Sequence, residues 1–164
     1  EKFGDLAGRK LAYIGDGNNM VHSLMYGGAK VGMHVACACP AGYEPDPKVV
    51  ASARADGAAT GAKMEVVRDP KEAVRGADIL YTDVWASMGQ EAEREKRVRD
   101  FQGYQINAEL VNMANPDCIV MHCLPAHRGE EITDDAADGP HSVLWDEAEN
   151  RLHVQKAILA LTMS

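Results

Sequence analysis

Lys10-Leu11-Ala12-Tyr13-Ile14-Gly15-Asp16-Gly17-Asn18-Asn19-Met20-Val21-His22-Ser23-Leu24-Met25-Tyr26-Gly27-Gly28 (residues 10–28) decides the fold. Five residues of strand character, Lys10 to Ile14, run into a glycine turn, Gly15 to Asn19, and then into a helical stretch from Met20 to Tyr26. Gly27-Gly28 is expected to stop that helix, because glycine tolerates the left-handed cap. Outward from this unit the pattern repeats. Val31 to Cys39 is a nearly continuous apolar run, as in a strand covered on both faces, and Pro40 ends it. Asp46-Pro47 opens a helix to about Ala59, with Asp as N-cap and Pro at the first turn. Met64 to Val67 reads as a third strand, Asp69-Pro70 as the start of a short helix ending near Gly76, and Ile79 to Thr82 as a fourth strand. Ile119 to Met121 is a fifth, Val143 to Trp145 a short sixth, and Glu147 to Met163 a helix with an apolar stripe. Alternating strands and helices predict an α/β fold: a doubly wound, mostly parallel, Rossmann-like sheet of about five strands with helices on both faces, a three-layer sandwich.

A chain of 164 residues suffices for one buried core, so residues 1–164 are expected to form one domain. The net charge of −8 argues against a nucleic-acid partner, which calls for clustered cations. The basic cluster Arg94 to Arg99 is interleaved with Glu95 and followed by Asp100, the pattern of a solvated helix face. No apolar run reaches membrane-spanning length and no signal peptide is legible, so a cytoplasmic protein without a membrane partner is expected. Of the four cysteines, Cys37, Cys39 and Cys118 sit in apolar runs, as buried free thiols do. The charged stretch Asp83 to Gly103 is long for a connection, and such loops are usually functional.

In open α/β sheets ligands bind beyond the carboxyl ends of the strands, and three polar segments lie there. Gly15-Asp16-Gly17-Asn18-Asn19 imitates a dinucleotide fingerprint, but Met20 holds the third glycine position and no acid follows Cys37-Ala38-Cys39-Pro40 to hold a ribose. Asn18 and Asn19 at a helix N-terminus suit a carboxylate; alternatively they only cap the helix. Asp83-Val84-Trp85-Ala86-Ser87-Met88-Gly89 places a carboxylate where an ammonium group would serve it, unless Asp83 caps the next helix. His122-Cys123-Leu124-Pro125-Ala126-His127-Arg128-Gly129 couples an imidazole and a thiol just after a strand; a buried Cys beside a capping His is the plainer alternative. A zinc reading through Cys123 and His127 lacks a second pair of ligands at matching spacing.

Together with Asp146-Glu147-Ala148-Glu149-Asn150-Arg151, these phrases resemble the aspartate/ornithine carbamoyltransferase family, in its ornithine branch, across essentially the whole chain. The resemblance implies transfer of a carbamoyl group from carbamoyl phosphate to the δ-amine of L-ornithine, giving L-citrulline and phosphate, with no metal or organic cofactor. It implies that Asn19 holds the ornithine α-carboxylate with Ser87 and Met88, and that Asp83 accepts from the α-ammonium. Cys123 would lie beside the δ-amine. His122 and Arg151 would serve the carbamoyl oxygen, and the Leu124 carbonyl the carbamoyl amide. His122, Cys123 and Arg151 are thus the expected catalytic residues, and with Leu124 the expected contacts to carbamoyl phosphate. The family's carbamoyl-phosphate domain, with its Ser-x-Arg-Thr-Arg grip, has no counterpart in residues 1–164, so the chain alone is expected to be inactive. Family members are trimer-based homo-oligomers, and the C-terminal helix is expected to expose a stripe through which this chain self-associates. Two further readings stand beside this one: a nucleotide-binding domain of an oxidoreductase, and a non-catalytic amino-acid-binding module.

Overall fold

A computed structural model describes residues 1–86 and 91–163. Five strands, β1 Lys10–Ile14, β2 His34–Ala38, β3 Met64–Val67, β4 Ile79–Thr82 and β5 Ile119–His122, form a parallel sheet in the order β3-β2-β1-β4-β5. Alternation along each strand sends side chains to two cores. Leu11, Tyr13, Val35, Cys37, Ile79 and Tyr81 pack on one face, under α1 (Asn19–Val31) and α2 (Pro47–Ala58). Ala12, Ile14, Ala36, Leu80 and Val120 pack on the other, under α3 (Pro70–Val74) and the helix Ala108–Met113, here α5. A short helix α4 (Arg94–Asp100) precedes α5, and α6 (Asp134–Asp138) and α7 (Leu144–Thr162) follow β5. The expected three-layer, doubly wound architecture is present.

Four local expectations need correcting. Helix α1 does not stop at Gly27-Gly28 but continues to Val31, and Gly32 at φ 77° supplies the left-handed cap. Gly28 serves packing instead, since a Cβ there would stand 2.7 Å from Val35 Cγ2. The second strand is accordingly shorter than Val31 to Cys39. Residues 143–145 add no strand: Ser142 makes one isolated bridge to Val120, and α7 begins at Leu144. The long charged connection after Asp83 contains α4, whose basic residues are not all solvated, because Arg97 is buried.

Gly17 is fixed by its surroundings. A Cβ on it would fall 2.2 Å from Pro45 N and 2.5 Å from Tyr43 O, while its own N–H donates to that carbonyl at 2.8 Å. Gly17→Ala must therefore push apart two backbone segments rather than a flexible side chain. We expect a loss of about 3 kcal/mol or more in urea unfolding, at the upper end of overpacking costs; a loss below 1 kcal/mol would show that the two loops yield.

Candidate functional site

The register sets the site. Ile14 pairs with Thr82 and Thr82 with His122, so Gly15, Asp83 and Cys123 leave the sheet side by side. The strand order reverses between β1 and β4, and the crevice of such a sheet opens there. Thr82 Oγ1 pins this edge by donating to the Ile14 carbonyl at 2.7 Å.

Asp83 is the hub. It is 8% exposed, and among the described residues three donors share its two carboxylate oxygens. Cys123 Sγ–H donates to Oδ1 at 3.0 Å, Val84 N–H donates to Oδ1 at 2.8 Å, and Asn18 Nδ2–H donates to Oδ2 at 2.9 Å. Asn18 Oδ1 in turn caps α1 by accepting from Met20 N at 2.9 Å. Asn18 thus caps the helix, as the plainer reading of the asparagine pair has it, and its amide reaches the protein's own acid. Asn19 is the first residue of α1 and exposed, beside this hub. Among the described residues Asp83 caps no helix; its carboxylate serves the three donors above.

Cys123 is half-buried, and burial, followed by the hydrogen bond to and charge of Asp83, pushes its thiol well above the usual range. It is a protonated donor here, not a thiolate. His122 is fully buried and both ring nitrogens are used within the protein. Nδ1 accepts from Leu124 N–H at 2.8 Å, which leaves the proton on Nε2 to donate to Glu131 Oε1 at 3.1 Å. The expected donor to a carbamoyl oxygen is therefore already committed. His122 is a clamp on the backbone of Leu124, whose φ of 55° is unusual for a side chain of its size. Arg151 lies exposed on α7, one turn beyond Glu147. Ser87 and Met88 fall outside the described residues.

Three groups around the site, two of them buried and Glu147 half-buried, were not singled out from sequence. Glu147 ties α7 to two strands: Tyr81 Oη–H donates to its Oε1 at 2.7 Å and His122 N–H to its Oε2 at 3.0 Å. Burial, then that bond, raises the Tyr81 hydroxyl pKa strongly. Glu131, 0% exposed, receives His122. Arg97 donates to Asp16 Oδ2 and to the Trp85 carbonyl, each at 2.9 Å, and so locks α4 to the glycine turn and to the exit of β4. Nothing in a run such as Arg94-Glu95-Lys96-Arg97-Val98-Arg99 marks the one residue that faces inward; Glu147 alone lay within a quoted phrase.

The dinucleotide reading fails on geometry. In that fingerprint the second glycine lets a pyrophosphate approach the backbone. At Gly17 the corresponding space is filled by residues 43–45. Among the described residues no helix is long and apolar enough to cross a membrane.

Comparison with known proteins points to one family. The family model described as aspartate/ornithine carbamoyltransferase, Asp/Orn binding domain, matches residues 7–162. An ornithine carbamoyltransferase of Gloeobacter violaceus is 63% identical over 99% of this chain and 52% of its own length. One of Symbiobacterium thermophilum is 62% identical over 100% of this chain and 53% of its own. The solved structure of ornithine carbamoyltransferase from Pyrococcus furiosus superposes with a TM-score of 0.94 at 57% identity, covering 99% of this chain and 52% of that one. The chain thus spans about half the length of the curated relatives it matches. It belongs to the aspartate/ornithine carbamoyltransferase family, through that family's Asp/Orn-binding domain.

Proposed function

We propose that this chain forms the ornithine-binding half of an ornithine carbamoyltransferase site, residues 1–164 acting as one cytoplasmic domain. The observation that carries the reading is Asp83, a nearly buried carboxylate gripped by Asn18 and Cys123 at the switch point of the sheet. A carboxylate so placed is matched by the α-ammonium of an amino acid, a charge-assisted pair in a partly dry site. The ligand's α-carboxylate would be held by Asn19 at the start of α1, where free N–H groups and the helix dipole favour an anion. Ser87 and Met88 would complete that grip.

With its proton directed to Asp83, Cys123 offers the sulfur lone pairs to a neighbouring amine; it orients the δ-nitrogen rather than deprotonating it. The Leu124 carbonyl, held by His122 through the adjacent N–H, would accept from the carbamoyl amide. Arg151 would stabilise negative charge as it develops on the carbamoyl oxygen, the kind of donor worth about 3–4 kcal/mol in acyl chemistry. No cofactor enters this scheme. The phosphate needs cations from outside these residues, so citrulline formation would require the other half of such an enzyme. The outer part of α7, with Leu152, Ile158, Leu159 and Leu161 exposed, is the surface on which that half or a second copy would rest.

The test is calorimetry of the purified chain with L-ornithine, putrescine and L-norvaline, together with a citrulline assay. Ornithine and norvaline are expected to bind and putrescine, which lacks the α-carboxylate and α-ammonium, at least tenfold more weakly. No citrulline is expected from the chain alone with carbamoyl phosphate. Preference for putrescine would sink the assignment of Asp83, and citrulline production by the chain alone would sink the half-site reading.

A further inference from the structure

The turn after the 122–125 segment carries a cluster that the ornithine reading does not use. Among the described residues, His127, Glu130 and Glu131 are the one group of three such side chains whose ligand atoms lie within 4.8 Å of one another. Glu131 is the informative member. Its Oε1 accepts from His122 Nε2 at 3.1 Å and from His127 N at 2.5 Å, whereas its Oε2 is buried with no hydrogen-bond partner. A buried orphan acceptor of this kind calls for an ion or a water. The side chain facing it, His127 through Nδ1, stands 3.8 Å away, too far for a hydrogen bond.

We propose that His127, Glu130 and Glu131 bind a divalent transition-metal ion of the zinc type. One imidazole and two carboxylates suit that ion, and two negative charges balance its two positive ones. With metal–ligand bonds of about 2.0–2.2 Å, ligand atoms on a tetrahedral zinc lie roughly 3.3–3.5 Å apart. The 3.8 Å between Nδ1 and Oε2 closes to that by a small rotation of His127, whose side chain is 45% exposed. That exposure gives the ion its route in and leaves the fourth position to water. Glu130 now pairs with Arg94, a half-exposed guanidinium that the ion would release to solvent.

The backbone presenting the ligands is already fixed. Gly129 N–H donates to the Ile132 carbonyl at 2.9 Å and Glu130 N–H to the His127 carbonyl at 3.0 Å. Gln105 Nε2 donates to the carbonyls of Gly129 and Glu130 at 2.9 and 2.7 Å. Glu131 would be both ligand to the ion and acceptor for His122, so the ion would be joined to the clamp on Leu124 through one carboxylate. The site stands independently of the ornithine assignment.

The experiment is competition for Zn²⁺ between the metal-free 164-residue chain and a chromophoric chelator, repeated on His127→Ala, Glu130→Gln and Cys123→Ser. Far-UV circular dichroism first establishes that each variant is folded; His127 is exposed and Glu130 only partly covered, so neither change empties a core. We expect one zinc per chain at micromolar or tighter affinity, weakened at least tenfold in His127→Ala and Glu130→Gln and unchanged in Cys123→Ser. Absence of binding below millimolar zinc would mean that Oε2 is served by water alone. Binding unaltered by the first two changes, or lost in Cys123→Ser, would place the ion elsewhere. Each of these overturns the site.

Discussion

Asp83→Asn is expected to weaken L-ornithine binding by at least ~30-fold, because removing one partner of a buried, hydrogen-bonded charge pair costs about 2–5 kcal/mol. The change keeps the size of the side chain but removes its charge and one of its two acceptor oxygens. The NH₂ that replaces that oxygen must face either Asn18 Nδ2–H or the pair of donors Cys123 and Val84, all of which now donate to Asp83. Lost affinity alone would not distinguish a lost contact from a disturbed loop, so the same variant should be examined at the thiol. Burial comes first among the causes that raise the Cys123 thiol, and the hydrogen bond and charge of Asp83 follow. Asp83→Asn takes away the charge, and a neutral amide oxygen is a weaker acceptor than the carboxylate it replaces. The thiolate fraction at a given pH therefore rises, and the midpoint of alkylation by iodoacetamide moves to lower pH. About one unit would speed alkylation at pH 8 roughly tenfold, since the thiolate is the reacting form. Cys37, Cys39 and Cys118 are buried and serve as the internal control: they stay unlabelled if the fold is intact. Ornithine affinity within threefold of the parent chain, with an unmoved alkylation profile, would remove Asp83 from the site.

The strands were legible because their signal is local. Ile79-Leu80-Tyr81-Thr82 is a short, largely apolar run between polar turns, as a parallel sheet demands, and Met64-Glu65-Val66-Val67 departs from that only at Glu65, on the edge strand. The convergence of Gly15, Asp83 and Cys123 was legible for the same reason, since it requires only strand ends and a parallel topology. What failed depended on partners distant in sequence. Gly27-Gly28 carries the composition of a helix stop, yet Val35 on the next strand requires a residue without a Cβ at Gly28, and packing overrode the local signal. Val143 to Trp145 has strand composition, but Leu144 is buried as the first residue of α7. Nor could the sequence show that Glu131, nine residues on, turns back beneath His122 and engages its ring. Asn18 and Asn19 are chemically equal, and only the start of α1 decides which one caps and meets Asp83.

Arg97 is the clearest case of such hidden information, and Arg97→Met should expose it as a loss of about 3–5 kcal/mol at pH 7. The ion pair with Asp16 has side chains only 9% and 10% exposed, and removing one member of a buried pair leaves the other charge uncompensated. Methionine keeps the length of the apolar stem but not the guanidinium, which lies over the Tyr43 ring at 5.0 Å, so the loss reports the cation rather than a cavity. The variant also forfeits the donor to the Trp85 carbonyl. Its pH dependence has a definite sign. Burial already raises the Asp16 carboxyl above its usual value, with Arg97 acting to lower it; without Arg97 it rises further. A carboxyl raised on folding takes up a proton as the chain folds. Its contribution is complete below the unfolded value near 3.9 and is lost as the pH rises through the folded one. The deficit of Arg97→Met should therefore shrink toward pH 4 and be fullest at neutral pH. The double change Asp16→Asn with Arg97→Met removes the stranded charge and should recover most of the neutral-pH loss, leaving mainly the missing bond to Trp85. Urea unfolding of the three proteins at pH 7 and pH 4.5 measures all of this. A single variant within 1 kcal/mol of the parent at both values would mean that water reaches Asp16 and that α4 does not hold the glycine turn.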